Sequence, residues 1–127
     1  MKIKVGIIGA GFGAKVHAPV MQSHPGFEVV SIASVGRGRL EEIKQETGVN
    51  SVYDNWEEML EKEELDLVAV ASAPLLHHNM VLKAYEKGCH VLCEKPMAFN
   101  VQEAENMMKA QEEAGKLGFI NFEYRFL

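Results

Sequence analysis

The fold is indicated most clearly by Val5–Ala14, with the sequence Val-Gly-Ile-Ile-Gly-Ala-Gly-Phe-Gly-Ala. An apolar run reaches Ile8 and then meets three glycines, Gly9, Gly11 and Gly13. A helical pattern follows to about Ser23. The order of a strand, a glycine-rich turn and a helix is typical of the first βα unit of a dinucleotide-binding domain.

Each residue of this turn has its own predicted task. Gly9 takes the backbone angles of a tight turn, and Gly11 lets the main chain approach a pyrophosphate. Phe12 and Gly13 belong to the same predicted cofactor-binding turn, and Ala14 allows the helix to pack closely on the strand. The amides that follow begin a helix, where a phosphate is favoured. By itself the motif leaves open whether the glycines bind a nucleotide or only serve packing.

Length and composition indicate one domain, residues 1–127. Hydrophobic residues make up 47% of the sequence and charged residues 24%, which is ordinary for a globular protein. A net charge of −5 gives a nucleic-acid partner no electrostatic support. No apolar run reaches the roughly 20 residues that a membrane span needs. Two cysteines, Cys89 and Cys93, are too few for a disulfide scaffold, and we expect a reduced, cytoplasmic protein.

Strand and helix patterns alternate along the chain, which predicts a doubly wound α/β domain with a mostly parallel, six-stranded sheet and helices on both faces. Asp54 or Asn55 is expected to cap the third helix. The strands are predicted at Lys2–Ile8, Phe27–Ser34, Ser51–Tyr53, Leu65–Ser72, Cys89–Cys93 and Gly118–Phe122. Ligands bind at the carboxyl ends of the strands in such sheets, so the residues after each strand are the candidates for a site.

The residues after the second strand bear on the choice of cofactor. NAD enzymes usually place a carboxylate there to hold the ribose 2′-hydroxyl, but this stretch has Ser34, Arg37 and Arg39 instead. Guanidinium groups suit a phosphate, so we expect NADP to be preferred, with NAD as the alternative cofactor. Arginine near a helix start is unfavourable unless an anion is present. The other interpretation is that both arginines are merely solvated.

Two further strand ends carry candidate residues. Ser72, Pro74 and His77 follow the fourth strand, where they would pass beside a bound cofactor, although His77 could equally be a surface residue. Adjacent histidines at 77 and 78 do not share a helix face, so no metal site is expected. Glu94 and Lys95 follow the fifth strand, where Lys95 could hydrogen-bond a ribose or a substrate hydroxyl and relay a proton. The alternative is an exposed ion pair.

Four segments together resemble the glucose–fructose oxidoreductase and inositol dehydrogenase family (Gfo/Idh/MocA). They are Gly9–Ala14 with His17, Pro74–His77, Gly88–Pro96 and Tyr124–Phe126. The resemblance implies a Rossmann domain that binds NAD or NADP and takes part in hydride transfer with a sugar, cyclitol or similar compound. It also implies that Lys95 is the active-site lysine, Glu94 its neighbour at the nicotinamide ribose and His77 a cofactor-side residue.

Three features depart from the family pattern. Ser34 replaces the usual Asp, and Leu75 stands where an Asn commonly follows the proline. Family members also carry a second domain with the substrate pocket and usually the oligomer interface. We therefore expect this chain to be the cofactor half alone, without turnover of the small-molecule substrate and with homo-oligomerisation open. The alternative is a non-catalytic Rossmann-type binding or regulatory module.

Overall fold

A computed structural model describes residues 1–36 and 38–126, apart from the side chains of Glu123 and Phe126. Within it, six parallel strands form one sheet in the order β3-β2-β1-β4-β5-β6. This confirms the predicted α/β sheet. The strands are β1 Ile3–Ile8, β2 Phe27–Ala33, β3 Ser51–Tyr53, β4 Leu67–Val70, β5 His90–Glu94 and β6 Gly118–Asn121.

Consecutive parallel strands need a long crossover connection, and helices provide it here. A π-helical turn, Gly13–His17, runs directly into α1, Ala18–Gln22. The others are α2 Leu40–Thr47, α3 Trp56–Lys62, α4 Pro74–Glu86 and α5 Val101–Ala114, and a short 3₁₀ turn spans Glu123–Phe126.

The helix boundaries refine two predictions. Asn55, and not Asp54, caps α3, because its Oδ1 accepts the Glu58 amide at 3.0 Å. Arg39 was expected near a helix start, and α2 begins directly after it, at Leu40. Gly38 and Arg39 have φ angles of +68° and +66°, in the left-handed region, so the backbone of these two residues is not right-handed helix.

Helices cover the sheet on both faces and create two cores. On one face, Ala18, Met21 and Ile43 of α1 and α2 pack against β1, β2 and β4. On the other, α3, α4 and α5 pack against β1, β2, β4 and β5, with Met59, Met80, Val81 and Met107 as buried side chains. In the described ranges no helix has the length and apolarity to cross a membrane.

All strands run in the same direction, but the direction in which successive strands are added to the sheet changes between β1 and β4. Chain order runs outward from β1 to β2 and β3 on one side, and outward from β4 to β5 and β6 on the other. The carboxyl ends of β1, β2 and β4 therefore meet at the switch point, where the helices lie on opposite faces and leave a crevice.

Candidate functional site

A cavity of about 370 Å³ opens at the switch point. We call it the glycine cavity, because the turn after β1 forms its floor. The loops after β2 and β4 form its walls. Its lining is Gly9, Ala10, Gly11, Ser34, Val35, Arg39, Ala71, Ser72, Ala73 and Leu76. Five of the predicted site residues thus share one cavity, namely Gly9, Gly11, Ser34, Arg39 and Ser72.

The three glycines of the turn differ in what surrounds them. Gly9 has a φ of +126°, and a Cβ there would lie 2.5 Å from the carbonyl oxygen of Ala71. A Cβ on Gly13 would lie 2.7 Å from Cγ2 of Ile7, so this glycine also permits the close helix–strand packing that was predicted for Ala14. Gly11 is exposed, and a Cβ on it would meet no atom within 4 Å. The main chain at Gly11 is therefore open to an approaching group, which fits the pyrophosphate of a dinucleotide.

Arg39 lines the cavity but already has an anionic partner. Its Nε donates to Oε2 of Glu42 at 2.8 Å, and this hydrogen bond raises the pKa of Arg39 above its ordinary value. The expectation that an arginine at a helix start signals an external anion is therefore weakened, because the protein itself supplies a carboxylate. Arg37, the second predicted phosphate ligand, lies outside the described residues.

A carboxylate also lies beside the loop after β2, although that loop contains none. Asp54, which follows β3, accepts the Ser34 hydroxyl at 3.3 Å and the Gly38 amide at 2.7 Å, both on Oδ1. Ser34 itself is fully buried. Sequence reasoning missed Asp54 in this position, because it was considered only as a helix cap.

Glu94 belongs to a buried polar group at the ends of β5 and β6. Its Oε1 lies 2.7 Å from Nε2 of His17 and accepts a hydrogen bond of 2.7 Å from Nδ2 of Asn121. We call these three residues the Glu94 cluster. Phe12 packs its ring edge-to-face against His17, with 5.2 Å between ring centroids. The predicted residues Phe12 and Glu94 are therefore linked through His17, away from the lining of the glycine cavity.

His77 lies behind the site and not on its surface. Its ring is fully buried, with Nε2 at 2.9 Å from the carbonyl oxygen of Ser72 and Nδ1 at 2.9 Å from that of Pro96. A neutral imidazole has one N–H and donates to one of these oxygens at a time, whereas the imidazolium donates to both. His77 therefore lies between the segment after β4 and the segment after β5, and its imidazolium form would hydrogen-bond both.

Lys95 is exposed at the carboxyl edge, next to Glu94 in the chain. Its Nζ lies 5.6 Å from the centroid of the Tyr124 ring, within the range of a cation–π contact. Glu94 is buried and its side chain contacts His17 and Asn121, so the alternative of an exposed Glu94–Lys95 pair does not describe this structure. Pro74 is exposed at the first position of α4, adjoining the cavity.

Cys93, at the carboxyl edge, has an unreactive thiol. Cys93 Sγ lies 3.4 Å from Nδ1 of His77, a pairing that resembles a nucleophilic dyad. Burial raises the pKa of Cys93 to about 12, and the nearby Glu94 adds to the effect. A thiol is the nucleophile only as its thiolate, so Cys93 is a buried structural residue at neutral pH.

Asn121 and His17 are site residues that sequence reasoning did not assign. Asn121 is paired with Glu94 in the register of β5 and β6, so the strand-end rule applied to the sixth strand would have found it. His17 lies 77 positions from Glu94 in the chain, and its sequence position alone gave no indication of that contact.

Comparison with known proteins agrees with this arrangement. The sequence matches the family described as "Oxidoreductase family, NAD-binding Rossmann fold" over residues 3–122. D-glucoside 3-dehydrogenase of Escherichia coli is 34% identical over 98% of this chain and 36% of its own length.

Two solved structures illustrate the likeness in fold. The WlbA dehydrogenase of Bordetella pertussis, in complex with NADH and UDP-GlcNAcA, superposes with a TM-score of 0.91 and 28% identity over 99% of this chain and 38% of its own. Biliverdin reductase of Synechocystis, in complex with biliverdin and NADP⁺, gives a TM-score of 0.86 and 26% identity over 94% and 37%. The chain thus spans somewhat more than a third of the length of these relatives.

Proposed function

Because this chain belongs to the GFO/IDH/MocA oxidoreductase family, whose matched domain is an NAD-binding Rossmann fold, we propose that it binds a nicotinamide dinucleotide. The proposed binding surface consists of the glycine cavity and of the carboxyl edge of the sheet at Lys95. The observation that carries this proposal is the open space at Gly11, at the switch point of the sheet. The adenosine half is assigned to the cavity between Ser34 and Ala73, and the pyrophosphate to the turn at Gly9 and Gly11.

The nicotinamide half is assigned to the edge formed by Ser72, Pro74, Glu94 and Lys95. A bound nicotinamide supplies the hydride chemistry. His17 and Asn121 hold the side chain of Glu94, and this restrains the backbone just before Lys95. Lys95 is exposed and reaches outward, where its ammonium group holds a ribose or substrate hydroxyl and moves a proton to or from the substrate oxygen. His77 positions the Ser72 and Pro96 backbone on either side.

The activity of the whole protein is proposed on the family and on its relatives. We assign it to NAD(P)-dependent oxidation or reduction of a sugar, a cyclitol or a similar hydroxyl or carbonyl compound. This fits the glucoside dehydrogenase and the sugar-nucleotide complex among its relatives. Those relatives are more than twice as long as this chain, so substrate contacts are assigned to a further domain and turnover by residues 1–127 alone is not expected.

The preference for NADP over NAD is part of the proposal. It is supported by Arg39 on the cavity wall and by the absence of a carboxylate from the loop sequence Ser34–Arg39. The pair between Arg39 and Glu42 is exposed, and exposed pairs are weak enough for a phosphate to compete. Arg39→Ala is expected to weaken NADPH about tenfold and to leave NADH nearly unchanged. Equal losses for both cofactors would show that Arg39 does not recognise the phosphate.

Calorimetric titration of the chain with NADPH and with NADH tests the proposal directly. The matched variant is Gly11→Val, whose side chain enters the space reserved for the pyrophosphate but touches no other residue at its Cβ. It is expected to lower cofactor affinity at least about tenfold while the thermal unfolding midpoint stays near the wild-type value. No heat with either cofactor, or unchanged affinity in Gly11→Val, would contradict the proposed site.

A further inference from the structure

The loop after β2 has several positive φ angles, and its backbone is hydrogen-bonded by the side chain of Asp54. Gly36, Gly38 and Arg39 have φ angles between +66° and +68°. Such angles are costly for a residue with a side chain, so Arg39 needs the surrounding structure to hold it. Among the described residues, the side chain that hydrogen-bonds the loop backbone is Asp54.

Asp54 holds this loop at three points. Its Oδ1 accepts the Gly38 amide at 2.7 Å and the Ser34 hydroxyl at 3.3 Å, and its carbonyl oxygen accepts the Gly36 amide at 2.9 Å. The Ser34 amide in turn donates to the carbonyl oxygen of Tyr53 at 2.8 Å, which continues the pairing of β2 with β3. The loop is thereby anchored to the end of β3 at Ser34, Gly36 and Gly38.

The anchored loop carries residues of the glycine cavity, to which the adenosine half of the cofactor is assigned. Ser34, Val35 and Arg39 line the glycine cavity, whereas Asp54 does not. Asp54 therefore acts on a ligand through the loop. One oxygen of its carboxylate accepts hydrogen bonds from both a main-chain amide and a hydroxyl of the loop.

We propose that Asp54 is a positioning residue for recognition of the 2′-phosphate of the cofactor, because it holds the loop from Ser34 to Arg39 in the shape that presents Arg39 to the cavity. This proposal rests on the proposed function. It differs from the usual role of an acidic group near this ribose, in which a carboxylate binds the hydroxyl directly and excludes the phosphate.

Two small probes isolate the 2′-phosphate. Adenosine 2′,5′-bisphosphate and adenosine 5′-monophosphate differ by that group alone, so the ratio of their affinities measures its recognition. Asp54→Ala is expected to lower this ratio about tenfold, by weakening the bisphosphate while the monophosphate keeps its affinity. Asp54→Asn keeps an oxygen acceptor for Gly38 and Ser34, so it is expected to retain the ratio within about twofold.

A matched control is Asp66→Ala. Asp66 also accepts a main-chain amide, that of Lys4 at 2.8 Å, but it precedes β4 and lies at the opposite edge of the sheet. Its removal is expected to leave the ratio unchanged. Thermal unfolding of all three variants shows whether any loss comes from the fold as a whole.

Several outcomes would overturn the proposal. An equal loss of both probes in Asp54→Ala, no change in their ratio, or a wild-type ratio of one would each exclude positioning of a phosphate-binding loop. A ratio that rises in Asp54→Ala and Asp54→Asn would show that Asp54 repels the phosphate by its charge. If the wild-type protein binds neither probe nor either full cofactor, the proposed function itself fails, and this proposal with it.

Discussion

The glycine cavity and the Glu94 cluster lie at the same edge of the sheet, yet they are built from different parts of the chain. Most of the residues that line the cavity are Gly, Ala or Ser, and its defining feature is the open space above Gly11. The cluster is formed by three polar side chains, with His17 and Asn121 lying 77 and 27 positions from Glu94. One region therefore depends on the absence of side chains, and the other on their presence.

The two regions illustrate two ways in which a binding surface can be preorganised. A main-chain cavity is preorganised by backbone angles, so it responds to an added Cβ more than to a lost polar group. A side-chain cluster is preorganised by hydrogen bonds, so it responds to the loss of one member, which leaves the others buried without a partner. Substitutions in the two regions should therefore have different signatures.

The largest expected effect is that of Gly9→Ala. The added Cβ would meet the Ala71 carbonyl oxygen at 2.5 Å, in a backbone conformation that disfavours a side chain. Strain and overpacking together predict a loss of about 4 kcal/mol in the free energy of unfolding. Chemical denaturation measures it.

Gly48→Ala is the control for this prediction. Gly48 also has a positive φ, of +74°, but a Cβ there would meet no atom within 4 Å. Its expected cost is only about 1 kcal/mol, from the backbone alone. Equal losses in both variants would show that the contact between the glycine turn and the β4 loop contributes nothing.

The next effect is that of Glu94→Ala. The substitution leaves His17 and Asn121 without their shared acceptor, and the loss of two hydrogen bonds to a carboxylate predicts a cost of about 3 kcal/mol. Asn121→Ala removes one of the two and should cost about half as much. Urea unfolding of both variants gives the comparison, and a smaller effect for Glu94→Ala than for Asn121→Ala would disprove the shared-acceptor arrangement.

The smallest effect is a pH dependence from Cys93. Burial raises the pKa of Cys93 from its ordinary 9.0 to about 12, so the unfolded chain releases this proton first as the pH rises. The contribution of Cys93 to stability is thus complete below pH 9 and falls between pH 9 and about pH 12. By pH 10 the expected loss is about 1 kcal/mol.

Comparing wild type with Cys93→Ala separates this effect from other titrations. The stability of the wild-type protein should fall more steeply between pH 8 and pH 10 than that of the variant. Parallel profiles would show that the thiol titrates alike in the folded and unfolded states, contrary to its burial beside His77.

Local patterns were sufficient for the glycine cavity. The turn from Gly9 to Gly13 is specified by residues that are neighbours in sequence, and its conformation follows from backbone sterics. The strand-end rule then brought Ser34 and Ser72 to the same place, because parallel strands end at one edge. The fold class followed from the alternation of strand and helix patterns, and the family from the resemblance of four short segments.

Local patterns were insufficient to identify the hydrogen-bond partners of individual side chains. The sequence argument gave Arg39 an external anion, but Glu42 on the next turn of helix binds it. Asp54 was expected to cap α3 as an alternative to Asn55, but it supports the neighbouring loop instead. The surface alternative for His77 is incorrect, since its ring is fully buried between two carbonyl oxygens.

The α/β alternation, the glycine turn and the edge of the sheet at which Lys95 lies can be read from the sequence alone. These depend on hydrophobic periodicity and on backbone freedom, which are properties of short stretches. The contacts of Glu94 with His17 and Asn121, and of Asp54 with the loop beside Ser34, follow from the tertiary fold. Hydrogen-bond partners are set by the distance between atoms, and that distance exists only after the strands have taken their order in the sheet.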